Sequence, residues 1–163
     1  MDVCLQMSSI TTNDDFMHFV HSFPITEIIP NLYLGSKFNI ERLEHIPYEI
    51  TYAVNVGTHH AYPLGDHGIH TYYTFMIDDT EHDLSTVEDN IEHVIDVIDR
   101  GLEAGHKVIV HCYSGMNRSA LAIVAYLIRK FGLDSIEALL HVRGIRPFVL
   151  RNPTFVKYLL YFK

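Results

Sequence analysis

The chain has 163 residues, of which 48% are hydrophobic and 20% are charged, and its formal net charge at pH 7 is −8. This size and balance predict one folded domain with a substantial core and argue against a disordered segment. The negative charge argues against a general nucleic-acid binder, although it leaves room for a local basic patch formed by Arg118, Arg143, Arg146 and Arg151.

The N-terminal segment, residues 1–24, carries an apolar stripe that predicts an amphipathic helix after a cap at residues 13–15. The simpler interpretation, which we favour, is that this stripe packs on its own domain. The alternative is a helix that docks on a second copy of the chain and makes a homodimer. The residues before the helix are polar and small, so we expect them to be loose. The stripe has four members at helical spacing: Phe16, Phe19, Val20 and Phe23.

The rest of the chain predicts short strands that alternate with helices, which indicates an α/β fold with a central, mainly parallel sheet flanked by helices. The expected strands lie on both sides of the turn Pro30-Asn31 and over residues 52–56, 71–77 and 107–110. Helices are expected over residues 39–45, 120–128 and 134–142, and a last helix is opened by Asn152-Pro153. A further helix should begin at a capping box at residues 85–88 and end at Gly101 and Gly105. A glycine-containing loop is expected over residues 57–70.

Residues 111–119 read His-Cys-Tyr-Ser-Gly-Met-Asn-Arg-Ser and lie between a predicted strand and a predicted helix. A thiol has an ordinary pKa of about 8.5, so a cysteine needs help to be a nucleophile at neutral pH. A helix N-terminus and the backbone N–H groups of residues 113–118 can surround an anion, with Gly115 easing the tight path, and the Arg118 fork suits phosphate oxygens. This pattern predicts phosphoryl transfer to Cys112. The simpler alternative is a buried cysteine near an unrelated arginine. It would require His111, Cys112, Gly115, Arg118 and Ser119 to stand at these positions by chance.

The pattern His-Cys-x-x-Gly-x-x-Arg-Ser resembles the signature of cysteine-dependent protein tyrosine phosphatases, and the short chain resembles their dual-specificity branch, including the poxviral type. The likeness runs from about Ile25 to Phe162, so residues 25–163 would form the catalytic domain, with a phosphate loop between a strand and a buried helix. The resemblance implies that Cys112 attacks phosphorus, that Arg118 binds the phosphoryl oxygens, that Ser119 assists the leaving thiolate and that His111 tunes the loop. The phosphate-binding residues would be Tyr113, Ser114, Gly115, Met116, Asn117 and Arg118.

An acidic loop at residues 77–83 precedes the first long helix. By residue type alone it could be an exposed turn, but the family carries its general acid at this position, so the resemblance implies that Asp79 is the acid and Asp78 the second candidate. The closing segment of the chain also resembles the family pattern, in which Arg146 and Asn152 would support the phosphate loop. By its pattern alone, Asn152 would cap a helix.

We expect no cofactor and no metal. His59, His60, His67 and His70 invite a metal interpretation, but their spacing matches no familiar zinc pattern.

The two cysteines, Cys4 and Cys112, are too few for a disulfide framework and favour a reducing compartment. Because the sequence shows neither a leader nor a membrane-spanning run, we expect a cytoplasmic protein, with the nucleus left open as a second location.

The first functional hypothesis is a dual-specificity phosphatase that acts on phosphotyrosine and phosphoserine or phosphothreonine in proteins, with a phosphorylated protein as partner and no nucleic acid or membrane. Asn117 keeps a second hypothesis open, an RNA 5′-phosphatase, because some relatives carry an asparagine before the signature arginine. Phosphoinositides are less favoured because the loop has no lysine. A catalytically weak phosphoprotein-binding module is the hypothesis outside enzymes.

Overall fold

One five-stranded sheet forms the centre of the fold in the computed structural model, which describes residues 3–41, 49–57 and 69–163. The strand order is β1-β2-β5-β3-β4, with β1 antiparallel to β2 and the other neighbours parallel. The predicted α/β fold with a mainly parallel sheet is therefore confirmed. The strands are β1 (Thr26–Ile29), β2 (Leu32–Ser36), β3 (Tyr52–Asn55), β4 (Thr71–Thr74) and β5 (Val108–Cys112).

Helices cover the sheet, and α5 is the central one, since every residue from 119 to 128 is buried. It packs on α4, α6 and α7 as well as on β2 and β5. The described helices are α1 (Val3–Ser8), α2 (Asn13–Ser22), α3 (Lys37–Ile40), α4 (Ser85–Glu103), α5 (Arg118–Phe131), α6 (Ser135–Ile145) and α7 (Pro153–Tyr161). None of the helices in the described part of the chain is both long and apolar enough to cross a membrane.

The N-terminal helix α2 packs on its own domain. Val20 is fully buried, and the Phe19 ring lies 5.5 Å from that of Phe23 and 5.7 Å from that of Phe148. This is the arrangement that the simpler interpretation of the apolar stripe expects, and a homodimer through this segment stays a prediction. The cap is Thr12, not residues 13–15, and helix α1 occupies part of the segment expected to be loose.

The predicted capping box at the start of α4 is wrong. The helix begins at Ser85, so this residue is the first helical position and not the cap, and Leu84 at the cap makes no side-chain bond. Instead, Asp83 Oδ1 accepts a hydrogen bond from the Ser85 backbone at 2.8 Å, and Thr86 Oγ1 accepts one from the Asp78 backbone at 2.9 Å. The Thr86 hydroxyl therefore anchors the acidic loop to α4.

Gly101 does not end α4 but lies within it. A Cβ at this position would come within 2.8 Å of the Val108 side chain and 2.9 Å of the Tyr52 ring, so glycine allows the helix to approach β3 and β5 closely. The helix ends two residues later, and Gly105, with φ of 82°, follows in a turn.

Several other boundaries differ from the prediction, and α5 extends beyond the expected 120–128 at both ends. Helix α3 begins at Lys37, before the expected residue 39, and β4 ends at Thr74. Helix α6 extends to Ile145, three residues past the expected end. Residues 42–48 and 58–68, which carry the remainder of the predicted short helix and most of the predicted loop, lie outside the described residues.

Candidate active site

Cys112 is the last residue of β5, and helix α5 begins six residues later at Arg118, so the predicted strand, loop and helix are all present. The cysteine is 2% exposed, and its Sγ lies 3.2 Å from Oγ of Ser119. The first turn of α5 therefore places both a positive helix terminus and a hydroxyl beside the sulfur. Either group can stabilise negative charge on that atom.

Donors from other parts of the chain hold the loop after Cys112 by hydrogen bonds to its carbonyl groups. Because these carbonyls point outward, the N–H groups of the loop are left for the inner side, where an anion would sit. Three donors make these contacts: Lys37 N to Tyr113 O at 3.1 Å, Arg146 Nε to Gly115 O at 3.1 Å, and Leu150 N to Met116 O at 2.8 Å. With Ser114 and Asn117, these acceptor residues form the loop between β5 and α5, and Arg118, the last of the predicted phosphate-binding residues, is the first residue of α5.

Gly115 is required by both conformation and space. Its φ is 68°, in the left-handed region that favours glycine, and a Cβ here would lie 2.6 Å from the carbonyl oxygen of Gly35. Any larger residue would push the loop away from β2.

Arg146 is a fully buried cation directly behind the loop. Burial lowers the pKa of Arg146 to about 9, and attraction to the charge on Cys112 opposes that shift, so the guanidinium stays protonated at neutral pH. It thus adds positive charge to the side of the loop away from solvent. The guanidinium donates to three oxygen atoms: Gly115 O at 3.1 Å, Pro24 O at 2.8 Å and Thr26 Oγ1 at 3.0 Å.

The guanidinium of Arg118 is little used by the protein itself. Its Nη1 makes one long contact, 3.5 Å to Ile77 O, and its Nε is buried without a hydrogen-bond partner among the described residues. A buried unpaired donor is costly unless it meets an acceptor, so this fork is suited to an anion.

Two asparagines hold the carboxylate of Asp79 beside the loop. Asn117 Nδ2 donates to Asp79 Oδ2 at 3.0 Å, and Asn152 Nδ2 donates to Asp79 Oδ1 at 2.9 Å. Asp78 is exposed, and its contact with α4 is made through the backbone. The structure therefore brings Asp79, and not Asp78, to the cysteine loop.

Backbone donors fix the orientation of both amides. Oδ1 of Asn117 accepts from the N–H groups of Arg151 and Asn152 at 2.8 and 3.1 Å. Oδ1 of Asn152 accepts from Thr154 N at 2.9 Å, as expected for a helix cap. Since each side-chain oxygen already faces backbone donors, each NH₂ group must face Asp79. The sequence missed this use of Asn117 because its partner is 38 residues away.

Leu150 lies in an unusual conformation beside these asparagines. Its φ is 55°, which is strained for a residue with a branched side chain, yet it is buried and held at both ends. Its N–H donates to Met116 O, and its carbonyl accepts from Arg143 Nη2 at 2.7 Å. The strained residue sets the path of the next two residues, whose N–H groups orient Asn117.

His111 is buried next to Cys112, and its Nε2 lies 3.2 Å from the hydroxyl of Tyr72. Burial lowers the pKa of His111 to about 4, partly opposed by a hydrogen bond with the Cys112 backbone, so the ring is neutral at pH 7. A neutral, buried ring suits the hydrogen-bonding role that the resemblance implies.

This histidine should make the protein less stable in acid. The unfolded chain binds a proton on His111 at about pH 6.5 and the folded chain only near pH 4, so stability should fall through this window and be unaffected by this group above it. At pH 5 the expected loss is about 2 kcal/mol. Urea unfolding at pH 7.5 and pH 5.0 measures it, with His111→Asn as the control that removes the titration. An equal loss in the control would contradict the assignment to His111.

Among the described residues, no three histidine, cysteine or acidic side chains cluster as metal ligands would. The predictions that concern His59, His60 and His67 lie outside the described residues, and so does the side chain of Cys4.

Comparison with known proteins places this strand, loop and helix in a family. The model of the dual-specificity phosphatase catalytic domain matches residues 32–163. A putative tyrosine phosphatase of Invertebrate iridescent virus 6 is 32% identical over 138 residues, covering 85% of this chain and 91% of the viral one. Mouse protein phosphatase Slingshot homolog 3 is 30% identical over 137 residues, covering 82% of this chain but only 20% of its own length.

Solved structures agree with these matches. Human DUSP28 superposes with a TM-score of 0.75 at 26% identity, covering 86% of this chain and 93% of that one. OH1 from the Orf virus shares the fold, with a TM-score of 0.72 at 19% identity, covering 88% of this chain and 92% of its own. The chain belongs to the dual-specificity phosphatase family, as its signature loop predicted.

Proposed function

We propose that the chain is a dual-specificity protein phosphatase that hydrolyses phosphotyrosine and phosphoserine or phosphothreonine in proteins through a phosphocysteine intermediate. The observation that carries the proposal is the direct connection between the cysteine loop and the acidic loop. Asn117 belongs to the former, and its amide holds Asp79 of the latter at 3.0 Å. A nucleophile and an acid fixed to the same frame are what phosphoester cleavage needs.

In the first step, the Cys112 thiolate attacks phosphorus, an S–P bond forms, and the bond between phosphorus and the side-chain oxygen breaks. Asp79 gives its proton to that departing oxygen. The Arg118 fork and the loop N–H groups neutralise the charge on the phosphoryl oxygens, so the step needs no metal. Asp79 is thereby left ionised, with one asparagine N–H group facing each of its oxygens.

In the second step, a water molecule attacks the phosphocysteine and the S–P bond breaks. Asp79 takes a proton from the water as it attacks, and inorganic phosphate leaves. The sulfur departs as a thiolate, and the Ser119 hydroxyl 3.2 Å away donates a hydrogen bond to it. The same carboxyl group therefore acts as acid and then as base.

Two other hypotheses are less well supported. Asn117 was the reason to consider an RNA 5′-phosphatase. Its amide, however, is hydrogen-bonded to Asp79 and to two backbone N–H groups, so it is not free to bind RNA. A binding module without catalysis would not need Ser119 at the sulfur or a positioned carboxylate. The acidic net charge of −8 also opposes an RNA substrate.

A substrate panel tests the proposal. Phosphotyrosine and phosphothreonine peptides should both release phosphate, while a 5′-triphosphate RNA and a phosphoinositide should release little. The measurement is kcat/KM for each substrate, with chelator present throughout. Preferential turnover of the RNA or the lipid would overturn the protein-phosphatase assignment.

A further inference from the structure

A group of three rings and one lysine, here called the rim cluster, stands beside the cysteine loop. It consists of His21, Lys37, Phe38 and Tyr113. The Phe38 and Tyr113 rings are 5.6 Å apart and nearly perpendicular, and His21 lies 4.4 Å from Phe38 and 5.9 Å from Tyr113. The Lys37 ammonium lies 4.5 Å above the Tyr113 ring and 5.0 Å from that of Phe38. The rings therefore brace one another in a fixed arrangement.

The rim cluster adjoins the cysteine loop at Tyr113, next to the thiol that a phosphorylated side chain would have to reach. Tyr113 directly follows the buried nucleophile, yet 46% of Tyr113 is exposed, so its ring stands out from the loop into solvent. The backbone N–H of Lys37 donates to the Tyr113 carbonyl at 3.1 Å, which fixes the base of that ring. An exposed aromatic ring is therefore held next to the residue that carries the buried thiol.

The charge of the rim cluster resides on Lys37. Burial lowers the pKa of His21, and the nearby positive charge of Lys37 lowers it further, so the imidazole stays neutral at pH 7. Within the described ranges, none of the ion pairs involves Lys37. Neutral rings beside one cation that makes no ion pair with the described residues attract an anion and offer apolar contact to the group that carries it.

We propose that the rim cluster contacts the phenyl ring of phosphotyrosine and makes this site prefer phosphotyrosine to phosphothreonine. The inference rests on the proposed function and sharpens it. A phosphotyrosine places a rigid ring between the phosphate and the peptide backbone, where Tyr113 and Phe38 can pack against it. The phosphothreonine side chain is short and has no ring between the phosphate and the peptide backbone, so it makes no contact with Tyr113 and Phe38. His21 lies in α2, so the N-terminal segment contributes to substrate recognition.

Replacing Phe38 by alanine tests the inference. Two peptides that differ only in phosphotyrosine or phosphothreonine should be compared by kcat/KM. The variant should lose about three- to tenfold on the phosphotyrosine peptide, the size of one aromatic contact, and stay within about twofold on the phosphothreonine peptide. Phe131→Ala is the matched control, because Phe131 is also a partly exposed aromatic residue, at the far end of α5, and it should change neither value.

The outcomes separate the inference from the proposed function. If neither peptide is hydrolysed by the unaltered chain, the proposed function fails. If both are hydrolysed and Phe38→Ala leaves their ratio unchanged, or lowers both equally, the rim cluster does not select phosphotyrosine. Phe38→Leu keeps apolar volume without the ring and should show the same selective loss, which covers the case in which the alanine variant does not fold. Phe38→Tyr restores a ring and should restore the ratio.

Discussion

Replacing Cys112 by serine should abolish turnover and leave substrate binding intact. A hydroxyl at this position is not ionised at neutral pH and cannot attack phosphorus as a thiolate does, so kcat should fall by a factor on the order of 10⁴ or more. The N–H groups of the loop and the Arg118 fork, which we propose bind the phosphate, are untouched by the change. The rate of phosphate release measures the loss of kcat, and calorimetric titration with a phosphotyrosine peptide measures substrate binding.

Ser119→Ala provides the control for this result, because it changes the other atom of the 3.2 Å contact and keeps the nucleophile. It should slow breakdown of the phosphocysteine more than its formation, which appears as a burst of product before a slow steady state. Turnover retained by the serine variant of Cys112 would refute the assignment of that residue as nucleophile.

Replacing Asp79 by alanine should reduce kcat by about 10²- to 10⁴-fold on peptide substrates, since their leaving oxygens need a proton. The loss should be much smaller for an activated aryl phosphate, whose oxygen leaves without help. A plot of rate against leaving-group basicity should therefore steepen in the variant. This readout distinguishes a lost acid from a general disturbance of the site.

Asp78→Ala is the matched control for this comparison, one residue away and also exposed. It should stay within about twofold of the unaltered chain, because the contact of Asp78 with α4 is made by its backbone. Asn117→Ala should reproduce the leaving-group pattern of Asp79→Ala at smaller size, since it frees one oxygen of the acid. An equal loss with Asp78→Ala would reassign the acid.

Local sequence patterns predicted those parts of the fold that local chemistry determines. The strand before Cys112, the helix after it, the helix expected from residue 134 and the cap at Asn152 all depend on residues within a few positions of one another. The start of α4 was predicted wrongly for an equally local reason. A hydroxyl followed three residues later by glutamate fits a cap, but Asp83 supplied the competing acceptor and moved the start by one residue.

The arrangement around the sulfur was predictable only where the resemblance supplied it. The bonds that hold Asp79 join residues 38 and 73 positions apart, and no spacing rule connects them. The rim cluster is likewise assembled from α2, the start of α3 and the cysteine loop. Contacts of this kind exist only after the chain has folded, so composition and periodicity carry no signal for them.

Arg146 has a consequence for where the catalytic unit starts. Its guanidinium donates to the carbonyl of Pro24 and lies 4.9 Å from the ring of Phe23, while another of its nitrogens holds Gly115. A chain trimmed to begin at Ile25 would strip a buried cation of one acceptor and of an aromatic cover. The structural unit therefore begins upstream of the region that the family pattern matches. The residues before β1 stabilise the buried cation that holds the cysteine loop.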